Sequence, residues 1–240
     1  VHDFTYEYFQ SGFKLFIHHR QKKRAILKSD VVICISESTK NDLLKFIPSV
    51  KQERIFVVHN GYSQNVFKLL NSQRENQAIF VGQRSGYKNF TDAVEIVKHI
   101  PCLRLVIVGP SLTKDEIDIL NSKIPNRYVS YNRISNEDLN NLYNTSKLLL
   151  YLSKYEGFGL PIIEAGAAGC PTIALKYSSV PEVIGESGCL VNSHIDSIEY
   201  INKLLDDDAF FLSESSKAVI NAQRFSWEKM SKKYVDLYKK

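Results

Sequence analysis

This chain of 240 residues has little cysteine and none of it in pairs: Cys34, Cys102, Cys170 and Cys189 form no C-x-x-C, and the first three fall in or beside apolar, strand-like runs. A disulfide framework and a zinc site are thereby excluded, and the thiols read as reduced core residues of a cytoplasmic protein. No apolar stretch approaches the ~18 residues that span a bilayer, and the opening residues do not read as a signal peptide. Strong charge of one sign is absent as well. The formal net charge of +5 suits an anionic ligand or an acidic membrane surface and is too slight to point to nucleic acid. There is no internal repeat and no low-complexity run, and the acidic Asp206-Asp207-Asp208 reads as a capped, solvated turn between helices that implies no metal.

What the chain does have is 44% hydrophobic residues, enough for a proper core, and an ordinary charged fraction of 24%. Its length suits one large domain or two small ones. Apolar, β-branched runs at 31–35, 54–58, 78–81, 103–108, 128–130, 148–152, 171–175 and 189–191 read as strands, and helical patterns at 6–28, 37–46, 91–99, 113–121 and 226–238 lie among them, with one more helix capped by Ser135 that carries the core stripe Leu139, Leu142 and Tyr143. No hairpin dipeptide joins neighbouring strands. Such alternation requires an α/β fold, parallel sheets with helices on both faces, whose ligands bind beyond the C-terminal ends of the strands.

The stretch Tyr155-Glu156-Gly157-Phe158-Gly159-Leu160-Pro161-Ile162-Ile163-Glu164-Ala165-Gly166 follows the apolar run at 148–152. It reads as strand, glycine loop and helix start, with Pro161 as the first helical residue, where a missing N–H has no partner to lose. Glycines let a backbone approach a ligand closely, and a helix N-terminus offers free N–H donors and partial positive charge, so phosphate suits this place. Glu156 then faces the ligand from the loop and Glu164 from the first helical turn. Carboxylates beside phosphate repel it unless they point at hydroxyls, which makes a sugar or ribose the natural partner. The plainer alternative is a βα loop whose acids are solvated or cap the helix.

Glu-Gly-Phe-Gly-Leu-Pro followed by Ile-Ile-Glu-Ala resembles the E-x7-E signature of the family 4 retaining glycosyltransferases, whose GT-B type of fold sets two Rossmann-like domains face to face. The resemblance implies that Glu156 contacts the donor sugar hydroxyls and Glu164 the nucleotide ribose, with Gly157, Phe158, Gly159 and Leu160 beside the donor. Gly82, Arg84, Lys88 and Asn89 match the family's G-x-R-x-x-x-K-N, which it places on the donor diphosphate; by themselves Arg84 and Lys88 are two cations four apart after a strand, a clamp or two solvated residues. The loop at 131–135 resembles the family's base-contacting loop, with Arg133 in place of a glycine before Ile134. Val1-His2-Asp3-Phe4 resembles a strand end whose histidine lies near donor sugar and acceptor, where His2 could shuttle a proton.

Further segments extend the resemblance over almost the whole chain: 35–43 to an I-S-x-S-T-K-x-D-L segment, His59-Asn60-Gly61 to the turn between domains, and 181–184 to a P-E-V-I turn. It implies that 1–63 is the end of an acceptor-side domain, that 64–225 is the donor-binding domain with 64–76 as linker, and that 226–240 is a helix returning to the first domain, with Trp227 as a packing residue. Most of an N-terminal domain would then be missing. Ser36 and Ser38 read as helix caps, and the basic cluster His18-His19-Arg20-Gln21-Lys22-Lys23-Arg24 as a solvated helix face or a peripheral contact with the inner face of a membrane. The function implied is metal-independent retaining transfer of a sugar from a UDP-, GDP- or ADP-linked donor, a co-substrate with no separate cofactor, to a glycan or lipid-linked acceptor in surface polysaccharide or glycolipid synthesis. A nucleotide-sugar 2-epimerase and a non-catalytic nucleotide-sugar-binding subunit are the alternatives.

Overall fold

The computed structural model describes residues 1–84 and 86–239; Ser85 of the expected donor loop and Lys240 of the expected last segment lie outside them. The chain opens with α1 (Thr5–Phe9), α2 (Gly12–Lys28), β1 (Val32–Cys34), α3 (Glu37–Phe46) and β2 (Ile55–Val57). β1 and β2 pair in parallel, Val32 opposite Ile55 and Cys34 opposite Val57. Val1 lies alongside, its ammonium bonded to the Ile33 carbonyl at 2.5 Å and its carbonyl accepting from the Ile35 N–H at 3.3 Å. His2 and Asp3 are thus carried to the C-terminal end of β1.

β3 (Glu75–Val81), α4 (Phe90–His99), β4 (Arg104–Val108), α5 (Lys114–Lys123), β5 (Tyr128–Tyr131), α6 (Asn136–Thr145) and β6 (Ser146–Tyr151) come next, followed by α7 (Leu160–Ala167), β7 (Thr172–Leu175), α8 (Val180–Ile184) and β8 (Cys189–Val191). The six strands form one all-parallel sheet in the order β5-β4-β3-β6-β7-β8, as the alternation in the sequence requires. The order reverses between β3 and β6, and the loops leaving these two neighbours run in opposite directions, which opens a crevice between them. α9 (Ser197–Asp206), α10 (Asp208–Ala222) and α11 (Trp227–Tyr238) close the chain.

Side chains along a strand alternate between faces, and the core divides accordingly. Ala78, Phe80, Leu148 and Leu150 join one apolar cluster, Ile79 and Leu149 the other on the opposite face. Each buried Leu or Ile contributes about 2 kcal/mol relative to exposure, so the six-stranded unit, covered on both faces, dominates the stability. A third cluster gathers Phe4, Val32, Cys34, Leu43, Ile47 and Ile55 around β1, and takes in Tyr155 from the loop after β6.

Several expectations need correction. The helix at 6–28 is two helices, parted where Gly12 takes a φ of +74°. Cys102 is exposed rather than core; Cys34 and Cys170 are buried, their thiols pushed up by burial to about 11 and about 12. The basic cluster is not wholly solvated, because Lys22 turns inward to Glu7 at 2.9 Å and His19 meets the same carboxylate. The stretch 64–76 is pinned: Asn140 and Asn144 accept from the Lys68 and Leu70 N–H groups, and Arg74 donates to the carbonyls of Tyr143, Ser146, Ala168 and Gly169. Trp227 is 44% exposed; what packs there is backbone, since a Cβ on Gly61 would lie 2.1 Å from the Trp227 nitrogen. Among the described residues no helix is long and apolar enough to cross a membrane.

Candidate functional site

A cleft of about 290 Å³ opens where the sheet order reverses, walled by Val81 at the end of β3 and Gly82 after it, by Tyr151 at the end of β6 and the loop from Glu156 through Pro161, and by His2, Asp3 and Asn60 from the first part of the chain. Gly82 takes φ +119° and a Cβ there would meet nothing within 4 Å, so its backbone faces open space. Two bonds hold the β3 loop against the β6 loop: the Asn89 amide donates to the Leu152 carbonyl at 3.0 Å and the Lys154 N–H to the Tyr87 carbonyl at 2.8 Å. Asn89 sits left-handed at φ +52°, a conformation asparagine tolerates. The consequence is an ion pair, Lys88 Nζ to Glu156 Oε1 at 2.6 Å, with both side chains less than one-fifth exposed.

The Glu156 loop is fixed from several sides. Its own N–H donates to Ser178 Oγ, and Ser179 Oγ donates to the carbonyls of Glu156 and Phe158. From the first part, the hydroxyls of Ser36 and Thr39 reach the Gly157 carbonyl at 2.7 and 3.1 Å, and a Cβ on Gly157 would lie 2.1 Å from the His2 carbonyl oxygen. Tyr155 accepts from the Phe4 N–H and donates to Asp42, whose other oxygen accepts from Tyr8. Gly159, at φ +116°, ends the loop as the residue before α7. Among the described residues, the N–H groups of Phe158, Gly159 and Leu160 have no acceptor within the chain, as expected at a free helix start. Tyr151 stands behind Glu156, its phenol held well above the ordinary range by burial and then by the Glu156 charge, so it remains a donor.

Not every residue expected here arrives. Arg84 is turned away: its Nε bonds Glu116 at 2.8 Å and its Nη2 the carbonyls of Pro110 and Ser111, so the Arg84–Lys88 clamp is not formed. Glu116 also closes the capping box of α5 with Thr113, which gives it a fixed position for Arg84. Asn89 is a positioning residue without a place in the cleft. Phe158 is 3% exposed and packs its ring against His59 and Phe225 at centroid distances of 5.6 Å. α7 begins one residue before Pro161, and Glu164 lies in its second turn, not its first. There burial pushes the Glu164 carboxyl up to about 7, offset in part by the Tyr143 hydroxyl 3.5 Å away. Arg133 is exposed at φ +57°, the left-handed geometry that explains a glycine at such a place, and Ile134 packs on the core. His2 is exposed at the cleft wall, its carbonyl accepting from Thr39 at 3.3 Å.

Tyr151, Ser178, Ser179 and Asp42 were not anticipated. A signal existed for three of them: Tyr151 stands near the end of an apolar strand run, and Ser178-Ser179 closes the next βα loop at the same sheet edge. Asp42 lies on a helix 113 residues from Tyr155, and nothing local marks it.

The model of a family described as glycosyl transferases group 1 matches residues 62–225. O-antigen chain mannosyltransferase B of Escherichia coli is 28% identical over 177 residues, covering 69% of this chain and 46% of that protein. A D-inositol 3-phosphate glycosyltransferase of Corynebacterium kroppenstedtii is 34% identical over 106 residues, 42% of this chain and 24% of its own length. The chain therefore spans less than half the length of these curated relatives. Among solved structures, Anabaena Alr3699/HepE in complex with UDP and glucose superimposes with a TM-score of 0.81 at 19% identity, over 93% of this chain and 67% of that one. WaaG, a glycosyltransferase involved in lipopolysaccharide biosynthesis, does so at 0.80 and 15% identity, over 97% and 71%. These share the fold.

Proposed function

This chain belongs to the glycosyl transferases group 1 family, and from that premise we propose that its cleft binds a nucleoside-diphosphate sugar and transfers the sugar with retention to an acceptor hydroxyl. The observation that carries this reading is the Lys88–Glu156 ion pair beside the free N–H groups that start α7. In this structure the two charges satisfy each other. A donor would part them, its diphosphate taking Lys88 and the N–H groups of 158–160, its sugar hydroxyls taking Glu156. Both ends of the pair are reused, so opening it leaves neither charge unpaired.

As the bond from the anomeric carbon to the phosphate oxygen breaks, negative charge grows on the diphosphate, where Lys88 and the α7 N-terminus stabilise it without rearrangement. The acceptor oxygen bonds to the same carbon on the same face, and its proton passes to the departing phosphate oxygen. Glu156 holds the sugar and favours positive charge on its ring. Arg84 supports the loop from behind, through Glu116. The names of relatives, O-antigen chain mannosyltransferase B among them, favour mannose as the sugar and a surface polysaccharide as the acceptor.

Calorimetric titration with UDP, GDP and ADP tests the donor site. One nucleotide binds in preference, and Lys88→Ala weakens it by about tenfold or more, the worth of a charge-assisted bond. Glu156→Ala keeps that nucleotide and loses sugar transfer by about a hundredfold or more. Unchanged affinity in Lys88→Ala rules the diphosphate out of this cleft.

A further inference from the structure

A second cavity, of about 350 Å³, lies where the turn after β2 meets the start of α11. Four cations, Arg224, Lys229, Lys232 and Lys233, line it with His59, against a single acid, Asp236. Arg224 and Lys229 are anchored by neutral oxygens, Arg224 on the Asn221 amide at 2.6 Å and on the Glu182 carbonyl, Lys229 on the Gln223 carbonyl at 2.6 Å. Their positions are fixed while their charges stay uncompensated. Lys232 and Lys233 are exposed and, among the described residues, make neither hydrogen bond nor ion pair. His59 Nε2 is buried with no hydrogen-bond partner, an arrangement that costs free energy unless something fills it.

We propose that this cavity is an anion site for a phosphate group, separate from the Lys88–Glu156 cleft, in which Arg224, Lys232 and Lys233 surround the phosphate and His59 donates to it. A tetrahedral dianion accepts from several cations at different angles, whereas a carboxylate offers only two oxygens in a plane. Repulsion already acts on the ring: burial, then the charges of Lys233 and Arg224, hold the His59 pKa below its ordinary value, with Glu37 acting weakly the other way. A bound phosphate relieves that repulsion. The site also touches the donor loop, because Asn60 lines both cavities and the His59 ring packs on Phe158. Occupancy therefore stiffens the segment that carries Glu156.

The test is an NMR pH titration of the His59 ring, identified by its loss in His59→Gln, with and without inorganic phosphate. Phosphate is expected to raise the His59 pKa, and Lys232→Gln/Lys233→Gln to weaken phosphate binding about tenfold or more. Lys28→Gln/Lys51→Gln, the same change of net charge on exposed residues elsewhere, leaves binding unchanged. Lys88→Ala keeps the His59 response, which separates this site from the donor cleft. Phosphatidylglycerol vesicles form a second arm: a His59 response to vesicles but not to inorganic phosphate assigns the site to a lipid headgroup phosphate, the reverse to a free one. No response to either, or equal weakening in the Lys28/Lys51 variant, overturns the proposal.

Discussion

Burial alone places Glu164 at the edge of its titration near neutral pH. An ordinary glutamate near 4.5 is raised here to about 7, so the folded state binds its proton more tightly than the unfolded state does. The sign follows from linkage: the stability contributed by the neutral form is fully present below about 4.5 and is lost as pH rises through about 7, a change of about 3 kcal/mol at most. Glu164→Gln has no such proton to lose. Denaturant unfolding at pH 5 and pH 8 is expected to show the variant gaining on the parent by up to about 3 kcal/mol at the higher pH, and a constant gap between them means the carboxyl is not held in that environment. At this scale the sequence was informative about residue type and weak about partners. The spacing of Glu156 and Glu164 marked both carboxylates, and Gly82 and Lys88 do reach the cleft wall. Arg84 was misplaced because its partner, Glu116, stands 32 residues away on another element; two cations four apart say nothing about which acid the fold will set beside one of them.

The start of α7 shows what an element adds to its residues. Gly-Phe-Gly-Leu-Pro reads from sequence as a turn into a helix, and the structure gives the two glycines different work. Gly159 supplies a φ of +116° that points the chain into α7, whereas Gly157 admits another backbone. A Cβ at Gly159 would bring strain from a conformation L residues avoid and a 3.1 Å contact with Ile162 Cδ1. Gly159→Ala is therefore expected to destabilise by about 2 kcal/mol and to weaken nucleotide binding, since the free N–H groups at 158–160 shift with the bend. Thermal unfolding and nucleotide titration check the two effects; a variant as stable as the parent with unaltered affinity would show that the bend can relax without disturbing the site. Elements with strong periodicity were legible, as the eight strand runs all became strands. The break in the first helix was not, because Gln10-Ser11-Gly12 interrupts a helical pattern without a proline to announce it.

At the scale of the whole molecule the alternation of strands and helices fixed the sheet type, but not the way the first part of the chain closes on the β6 loop. That closure depends on contacts between residues far apart in sequence: Ser36 with the Gly157 carbonyl across 121 positions, Tyr155 with Asp42 across 113, and the Glu182 carboxylate accepting from the Glu37 N–H across 145. None has a local signature. The first two converge on the segment that carries Glu156, the third ties the same first part of the chain to α8, and at Gly157 the loop comes close against the backbone of His2. A methyl there would sit 2.1 Å from the His2 carbonyl oxygen, backbone against backbone, with no flexible side chain to yield. Gly157→Ala must therefore push His2 and the loop apart, and the Ser36 and Thr39 bonds to the Gly157 carbonyl go with that movement. The six-stranded sheet lies behind the loop and keeps its core. The expected result is faster amide hydrogen exchange at residues 36–39 and at Glu156 with unchanged protection in β3 and β6, together with loss of sugar transfer. Gly86→Ala is the control, because a Cβ at Gly86 meets nothing within 4 Å. Protection at 36–39 equal to that of the control variant would mean that the closure does not rest on the approach at Gly157.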